Sequence, residues 1–573
     1  MKKFILLAFS FLFVLSCTSD FDEINERPDA LTAADVSAKF FVTGVQQKFY
    51  APNRFPYWRG PLIHFDRFSG MHPFGYKGNW WNDGMGYVYH AAYTNATWDW
   101  MSGYNSDLTS FTNFVKPGGT LENEQYYAIA LIMKGLYYQR FSDVFGMVPY
   151  TEASDPDIVT PVFDDQKTIY DGIIASLDEA IGIIGSATTT GEGPQLLGEN
   201  DLFFNGNMQD WKKLANSLKL KVALRGHGAG GADYSTQVTE AIAGGVLGDK
   251  DATIPRDTEI SQWASATYGD IWHNFYGGGR WHLGSSLVDL LRDNNDPRLT
   301  KYAKPIKGGT FSFTKPTTGD LVSMYDKHIT YMKNHLTDSG VDYTTSVAGD
   351  GTVSITTGAG PYYVGQPSRT NGNIKNMLFP DLWCEPGEVV TQKKNEGKPI
   401  FPFLVFTAAE SHFLLAHAAT LGIGSGANSH YQAGITHAMR LWGVTDADIA
   451  TYLANEPMGS LTGSGDLEKI SSQRYLANYT DGLEAWAVIR DTGFPKVYKN
   501  TNGTGYIQSN TVNDTDIYEM GSMNGAYPQR LRYGSGAYNK NEANVNAAAT
   551  VQGADKMLSL IHISEPTRRR GIS

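Results

Sequence analysis

Residues 210–225, DWKKLANSLKLKVALR, decide the fold class of this 573-residue chain. Their apolar side chains recur at intervals of three and four, which places them on one face of an α-helix. That face comprises Trp211, Leu214, Ala215, Leu218 and Val222. A helix with a single apolar face buries it against another element. The segment therefore predicts a helix that packs against other helices.

The same periodicity continues on both sides of this segment. Residues 121–145 and 168–184 have one apolar face each. Similar patterns predict helices at 234–243, 283–291, 401–421, 429–441 and 473–490. Repeated short helix pairs resemble tetratricopeptide packing, although the period of about 34 residues typical of such repeats is absent. Four long segments rich in Gly, Thr, Asn and aromatic residues, 51–110, 253–282, 305–400 and 495–550, are expected to be functional loops.

Composition excludes several classes of protein. With 41% hydrophobic and 18% charged residues, the chain is too apolar to be disordered. A formal net charge of −12 argues against nucleic-acid binding, which depends on Lys and Arg. Two cysteines are too few for a disulfide framework or a cysteine-built zinc site. We expect Cys384 to be a small packed residue.

Both ends of the chain carry non-structural signals. Lys2 and Lys3 precede an apolar run, 4–15, that is too short to span a bilayer. The run ends in VLSC, which resembles a bacterial lipobox, and so predicts a signal peptide at 1–16, lipidation of Cys17 and a tether at 17–30. The alternative is an ordinary secreted protein with a chance cysteine. At the other end, LSLIHISEPTR resembles a translated sequencing adapter. We expect 558–573 to be an artefact and the natural domain, 31–557, to be truncated there.

Several strings follow one another along the chain: FDEINERPDALT (21–32), FSDVFGMVPYTEA (141–153), IYDGIIASLDEAI (169–181), TAAESHFLLAHAA (407–419), GLEAWAVIRDTGFPKV (482–497) and YPQRLRY (527–533). Together, in this order, they resemble the SusD/RagB family of outer-membrane nutrient-binding lipoproteins. The resemblance covers about residues 17–557. His417 departs from the family's usual acidic residue at that place.

The resemblance implies a mostly α fold, with a tetratricopeptide-like scaffold and long inserted loops. It implies a lipid-anchored protein on the cell surface that captures oligosaccharides and passes them to a SusC-like TonB-dependent transporter of the outer membrane. It implies neither catalysis nor a cofactor. A peptide-binding lipoprotein of the same fold and a surface glycoside hydrolase remain the alternatives.

Two aromatic-rich stretches, 57–87 and 262–282, suit sugar binding. Flat rings cover the apolar face of a pyranose, and Asn, Asp or Arg hydrogen-bond its edge. Helical periodicity is absent from both stretches, which favours binding over core packing. The predicted ligand-binding residues are Trp80, Trp81, Asn82, Asp83, Trp272, Tyr276, Arg280 and Trp281. Trp98 and Trp100 are the next candidates, with simple packing as the alternative.

The sequence gives weaker support for zinc binding, calcium binding and glycoside hydrolysis. His412 and His417 are five residues apart, about 140° around a helix, so they do not form the two-histidine face of a zinc protease. Residues 293–296 and 348–351 contain oxygen ligands for structural calcium but lack the EF-hand pattern. A carboxylate pair for glycoside hydrolysis needs only proximity in space, so the sequence does not identify one.

Overall fold

The computed structural model of the protein describes residues 37–50, 54–73, 87, 89–256, 282–371, 380–392, 396–507 and 511–555. Within these ranges the fold is mostly α-helical. The longer helices are α1 (Lys39–Tyr50), α2 (Ala91–Val115), α3 (Glu124–Phe145), α4 (Gln166–Ile184), α5 (Met208–Gly226), α6 (Ser235–Gly244), α7 (Ser285–Arg292), α8 (Leu321–Asp338), α9 (Ala408–Thr420), α10 (Ala427–Leu441), α11 (Asp446–Asn455), α12 (Asp466–Ala477), α13 (Gly482–Thr492) and α14 (Ser535–Val551). A helical segment at Arg54–Tyr57 continues as a π-helix, Trp58–Phe65, and ends with Asp66–Phe68.

Helix pairs build the scaffold, as the apolar periodicity predicts. Helix α3 packs on α4, α4 on α5 and α9 on α10. Close approach requires small residues: a Cβ on Gly135 of α3 would lie 3.1 Å from Leu218, and one on Gly434 of α10 only 2.6 Å from the ring of Phe413. The predicted face of 210–225 is fully buried. The tetratricopeptide-like helical fold is therefore confirmed.

Two small sheets are attached to the helices. Strand β1 (Ala252–Ile254) pairs antiparallel with β5 (Phe403–Phe406), and Ile254 lies opposite Phe403. Strands β2 (Thr310–Phe313), β4 (Val353–Thr357) and β3 (Tyr343–Val347) form an antiparallel sheet in that order. The strand pair β1–β5 also contacts α1 and lies beside the candidate site described below.

A buried network of charges joins the helices of the scaffold. The guanidinium of Arg225 on α5 contacts Asp143 on α3 and lies 2.5 Å from Glu484 on α13. Lys221 lies 3.2 Å from Glu484 and 3.4 Å from Glu410 on α9. Burial alone would raise the pKa of Glu484, but Arg225, Lys221 and Arg474 outweigh it and hold that pKa well below its usual range.

Several predicted boundaries were wrong. The helical segment from Arg54 to Phe68 and most of helix α2 lie in the predicted loop 51–110. Helix α8 and the three-stranded sheet lie in 305–400, and all but the last residue of α14 lies in 495–550. The predicted helix 401–421 begins with a strand instead, because FLVF at Phe403–Phe406 is buried along its whole length and pairs with β1. The predicted helix 473–490 is interrupted at Thr480, whose φ of 84° lies outside the right-handed helical region.

Candidate functional site

The predicted binding residues fall outside the described part of the chain. Trp80, Trp81, Asn82 and Asp83 belong to residues 74–86, and the second set belongs to 257–281. That second set is Trp272, Tyr276, Arg280 and Trp281. Cys17 also lies outside the described residues. The structure does describe the residues that flank the two segments, namely Pro73 and Tyr87 for the first and Arg256 and His282 for the second.

These flanks meet in the fold. The backbone amide of Gly284 donates a 2.8 Å hydrogen bond to the carbonyl oxygen of Met71. The neighbouring residues His72 and His282 also interact, with a backbone group of His282 facing the His72 ring. Burial lowers the pKa of His72 to about 3, so this ring is held neutral. The chain thus enters one aromatic-rich segment and leaves the other at the same place.

Tyr87, at the end of the first segment, is firmly held. Its hydroxyl donates to the carbonyl oxygen of Arg67 at 3.2 Å, and its ring packs edge-on against Phe68. The guanidinium of Arg369 lies 4.9 Å from the centre of the Tyr87 ring. Arg369 is fully buried and donates to the carbonyl oxygens of Glu519, Met520, Gly525 and Ala526. This arginine therefore links the end of the segment to the loop that precedes α14.

Arg256, which precedes the second segment, is anchored in a similar way. Its guanidinium lies 3.3 Å from the centre of the Phe403 ring on β5 and 5.6 Å from that of Tyr57. Its Nε donates to the carbonyl oxygen of Phe401 at 2.7 Å. Cation–π contacts of a desolvated arginine are worth about 2 kcal/mol. Arg256 therefore ties the start of the second segment to Tyr57, with which the first aromatic-rich stretch begins.

A cavity of about 50 Å³, here called the aromatic cleft, adjoins these anchors. Its walls include the rings of Phe49, Tyr57, Trp100 and Phe403, and it also contains the ion pair between Arg140 and Asp481. A smaller cavity of about 10 Å³ shares Tyr57 and Thr480 with the cleft and extends to Arg256 and His72. At these volumes the two cavities have room for a few water molecules and not for a sugar ring.

Asp66 lines the smaller cavity, and its carboxyl group is strongly perturbed. Burial, reinforced by the nearby carboxylate of Asp481, raises the pKa of Asp66 well above its usual value and favours the protonated acid. The backbone amide of Gly482 contacts this carboxyl group and partly offsets the effect. Sequence reasoning missed Asp66, Arg140 and Asp481, because they come from distant parts of the chain.

The two second-choice tryptophans have different environments. Trp98 is 6% exposed and packs against Phe141, Phe145 and Tyr533, so its role is packing. Trp100 is partly exposed, stacks on Phe49 with ring centres 5.6 Å apart, and lines the aromatic cleft.

The prediction that Cys384 is a packed residue is confirmed: it is fully buried, and burial raises the pKa of its thiol to about 12.

Two kinds of feature are absent from the described residues: a metal site with three or more ligands and a helix able to span a membrane. Within them, no group of three or more His, Cys, Asp or Glu side chains is arranged to hold a metal ion. No helix in the same ranges has the length and apolarity needed to cross a bilayer. Of the calcium-ligand candidates, Asp296 forms a buried pair with Arg298 at 2.5 Å, and Asp350 accepts the amide of Thr352 in a turn.

The fold defines a mostly α protein with a tetratricopeptide-like scaffold and inserted segments, and solved structures share it. A chitin-binding protein aligns at 22% identity with a TM-score of 0.66, over 92% of this chain and 99% of its own. A SusD-like protein from Bacteroides thetaiotaomicron aligns at 20% identity with a TM-score of 0.66, over 92% and 98%. A chitin-binding SusD homologue from Flavobacterium johnsoniae aligns at 19% identity with a TM-score of 0.64, over 92% and 98%.

The family is identified from the sequence. The model of a SusD-like family described as "Starch-binding associating with outer membrane" matches residues 74–337 and 363–514. These matched residues are well over half of the chain, so the protein belongs to this SusD-like family, whose members are associated with the outer membrane. No curated protein matches the chain.

Proposed function

We propose that this protein captures oligosaccharides at the cell surface and passes them to a SusC-like TonB-dependent transporter, without catalysis. It is anchored in the outer membrane by lipid on Cys17. Membership of a starch-binding family and the likeness to chitin-binding structures support a glycan ligand. Chitin oligosaccharides are therefore the first ligands to test, followed by starch oligosaccharides.

The observation that carries the proposal is the meeting of the two flanks at Met71 and Gly284. Because the first aromatic-rich segment starts where the second one ends, we infer that the two segments act on one ligand. In this proposal, Trp80, Trp81, Trp272, Tyr276 and Trp281 stack on pyranose faces. The polar groups of Asn82, Asp83 and Arg280 hydrogen-bond the sugar edges.

Calorimetric titration with chitin and starch oligosaccharides tests the proposal. We expect dissociation constants of about 1 μM to 1 mM, since a ligand that is handed on must also be released. Trp80→Ala and Trp272→Ala should weaken binding without changing the melting temperature. Phe40→Ala is the matched control, because Phe40 is 62% exposed on α1 and lies outside both segments.

Three outcomes would contradict different parts of the proposal. Unchanged affinity in both tryptophan variants would reject the site. Binding of peptides but not of glycans would favour the peptide-binding alternative. Release of shorter sugars from a polysaccharide would show a glycoside hydrolase and overturn the non-catalytic role.

A further inference from the structure

Three histidine rings meet at the surface where helix α10 packs on α9. His412 comes from α9, and His430 and His437 come from α10. The ring of His412 lies 5.5 Å from that of His430 and 5.3 Å from that of His437, measured between ring centres. All three side chains are partly exposed to solvent. The glycan-binding proposal does not use this cluster, and it lies outside both aromatic-rich segments.

The facing nitrogens of two of these rings have the spacing of metal ligands. The Nδ1 atoms of His412 and His430 are 3.3 Å apart. Two histidine nitrogens at zinc bond lengths of about 2.0–2.1 Å and a tetrahedral angle lie about 3.3–3.4 Å from each other. The same geometry puts the two ring centres about 5.2 Å apart, close to their present separation of 5.5 Å. A small rotation of the two rings would therefore let both nitrogens coordinate one ion.

The protonation state of His412 also suits coordination. Its Nε2 lies 3.0 Å from the carbonyl oxygen of Gly248. A carbonyl oxygen only accepts, so Nε2 carries the proton and the lone pair of Nδ1 points towards His430. Metal-binding histidines are commonly oriented in this way, by a hydrogen bond from the second ring nitrogen to a backbone carbonyl.

We propose that Nδ1 of His412 and Nδ1 of His430 chelate one divalent transition-metal ion of the zinc, copper or nickel type, with water in the remaining positions. Imidazole nitrogens suit these metals, whereas magnesium and calcium prefer oxygen ligands. In the metal-free protein, Nδ1 of His430 donates its proton to His412. On binding, solvent carries that proton to Nε2 of the same His430 ring.

The remaining surroundings assist a cation without completing its coordination. His437 stacks on His412 at an interplanar angle of 17° but is not placed among the proposed ligands. The carboxylate of Asp251 interacts electrostatically with His437 and accepts the amide of Ala408 at 2.7 Å. The site is therefore a two-imidazole chelate, in keeping with the lack of any three-ligand group among the described residues. A bound ion would join α9 to α10 and stabilise this helix pair.

Zinc titration of the full chain, purified without a histidine tag, tests the proposal. We expect saturable binding of one Zn²⁺ per chain and a rise in melting temperature that a chelator reverses. Mg²⁺ and Ca²⁺ should give no such rise. The variants His412→Gln and His430→Gln should each lose at least about tenfold in zinc affinity. Cu²⁺ bound to the wild-type chain should show nitrogen coupling in its electron paramagnetic resonance spectrum.

His437→Gln is the matched control, because it removes an imidazole from the same cluster but not a proposed ligand. It should keep zinc affinity within about threefold of the wild type. Each variant should fold, since all three side chains are partly exposed, and its metal-free melting curve verifies this. Equal binding by the wild type and both ligand variants would overturn the proposal. So would an absence of zinc binding below about 1 mM, or an equal loss in His437→Gln.

Discussion

The backbone amide of Gly284 donates its hydrogen bond to the carbonyl oxygen of Met71 over 2.8 Å. Gly284 lies just before helix α7, and Met71 lies just after the helical segment Asp66–Phe68. The contact joins the start of one aromatic-rich segment to the end of the other. The two backbones approach this closely only because residue 284 is a glycine. A Cβ on Gly284 would lie 1.7 Å from the carbonyl oxygen of Gly70.

Gly284→Ala should therefore damage both stability and glycan binding. The added methyl group forces the two backbones apart, and such overpacking costs about 1–3 kcal/mol in the free energy of unfolding. Urea unfolding measures this loss, and calorimetry measures the accompanying loss of oligosaccharide affinity. Gly103→Ala is the control: Gly103 lies within α2 and a Cβ there meets nothing within 4 Å. That substitution should stabilise the protein by about 0.5–1 kcal/mol. A Gly284→Ala protein as stable as the wild type would refute the close approach.

Glu484→Gln should be strongly destabilising. Glu484 is 1% exposed and neutralises Arg225 and Lys221, so loss of its charge leaves buried cations without sufficient compensation. Removing one partner of a buried ion pair costs about 3–5 kcal/mol. The free energy of unfolding in urea measures this cost. Glu240→Gln removes a carboxylate that is 56% exposed beside Lys219, and it should cost less than about 1 kcal/mol. Similar costs for the two variants would contradict the role assigned to the network.

The scaffold was largely predictable because its helices are amphipathic. Trp211, Leu214 and Leu218 lie on one face, and all three are buried as the periodicity indicated. Helix α2 was missed because its sequence mixes aromatic and polar residues, including Trp98, Asp99 and Trp100. Its stability depends on tertiary contacts such as that of Trp98 with Phe145, which local periodicity does not reveal.

For the candidate site, the sequence indicated the class of ligand but not which segments of the chain come together. Clusters of Trp, Tyr and Asn indicate sugar binding wherever they are placed, but they do not indicate which segments meet. The contact between Met71 and Gly284 and the approach of Arg256 to Tyr57 both join residues far apart in the chain. The aromatic cleft likewise combines Phe49, Trp100 and Asp481 from separate elements. No spacing within a single stretch encodes such contacts.

Mild acid should destabilise the protein through buried histidines. Burial, followed by Arg67, lowers the pKa of His64 to about 3, and burial lowers that of His72 to about 3 as well. In the unfolded chain these rings take up protons near their ordinary pKa of about 6.5. The unfolded state thus binds more protons below that pH, and the folded state loses about 1.4 kcal/mol per pH unit for each ring until the pH nears 3.

Urea unfolding at pH 7, 6 and 5 measures this dependence. The free energy of unfolding should fall with decreasing pH, most steeply below about 6.5. His64→Gln removes one titrating ring and should reduce the slope by about 1.4 kcal/mol per pH unit, whatever its effect on stability at pH 7. A slope identical to that of the wild type would show that His64 takes up its proton in the folded state too.

Cys384 should resist alkylation as long as the protein is folded. Its side chain is fully buried, its Sγ accepts the amide of Val364 at 3.2 Å, and burial raises the pKa of the thiol to about 12. The thiolate is the reactive form, so at pH 8 the folded protein offers neither access nor a nucleophile. Iodoacetamide treatment followed by peptide mass spectrometry should find Cys384 unmodified in buffer and fully modified in urea. Rapid modification in buffer would mean that the backbone segments around residues 364 and 384 separate readily and expose the thiol. In that case, the packing beneath the Met71–Gly284 junction would be looser than described, because the amide of Leu283 is bonded to the carbonyl oxygen of Cys384 at 3.0 Å.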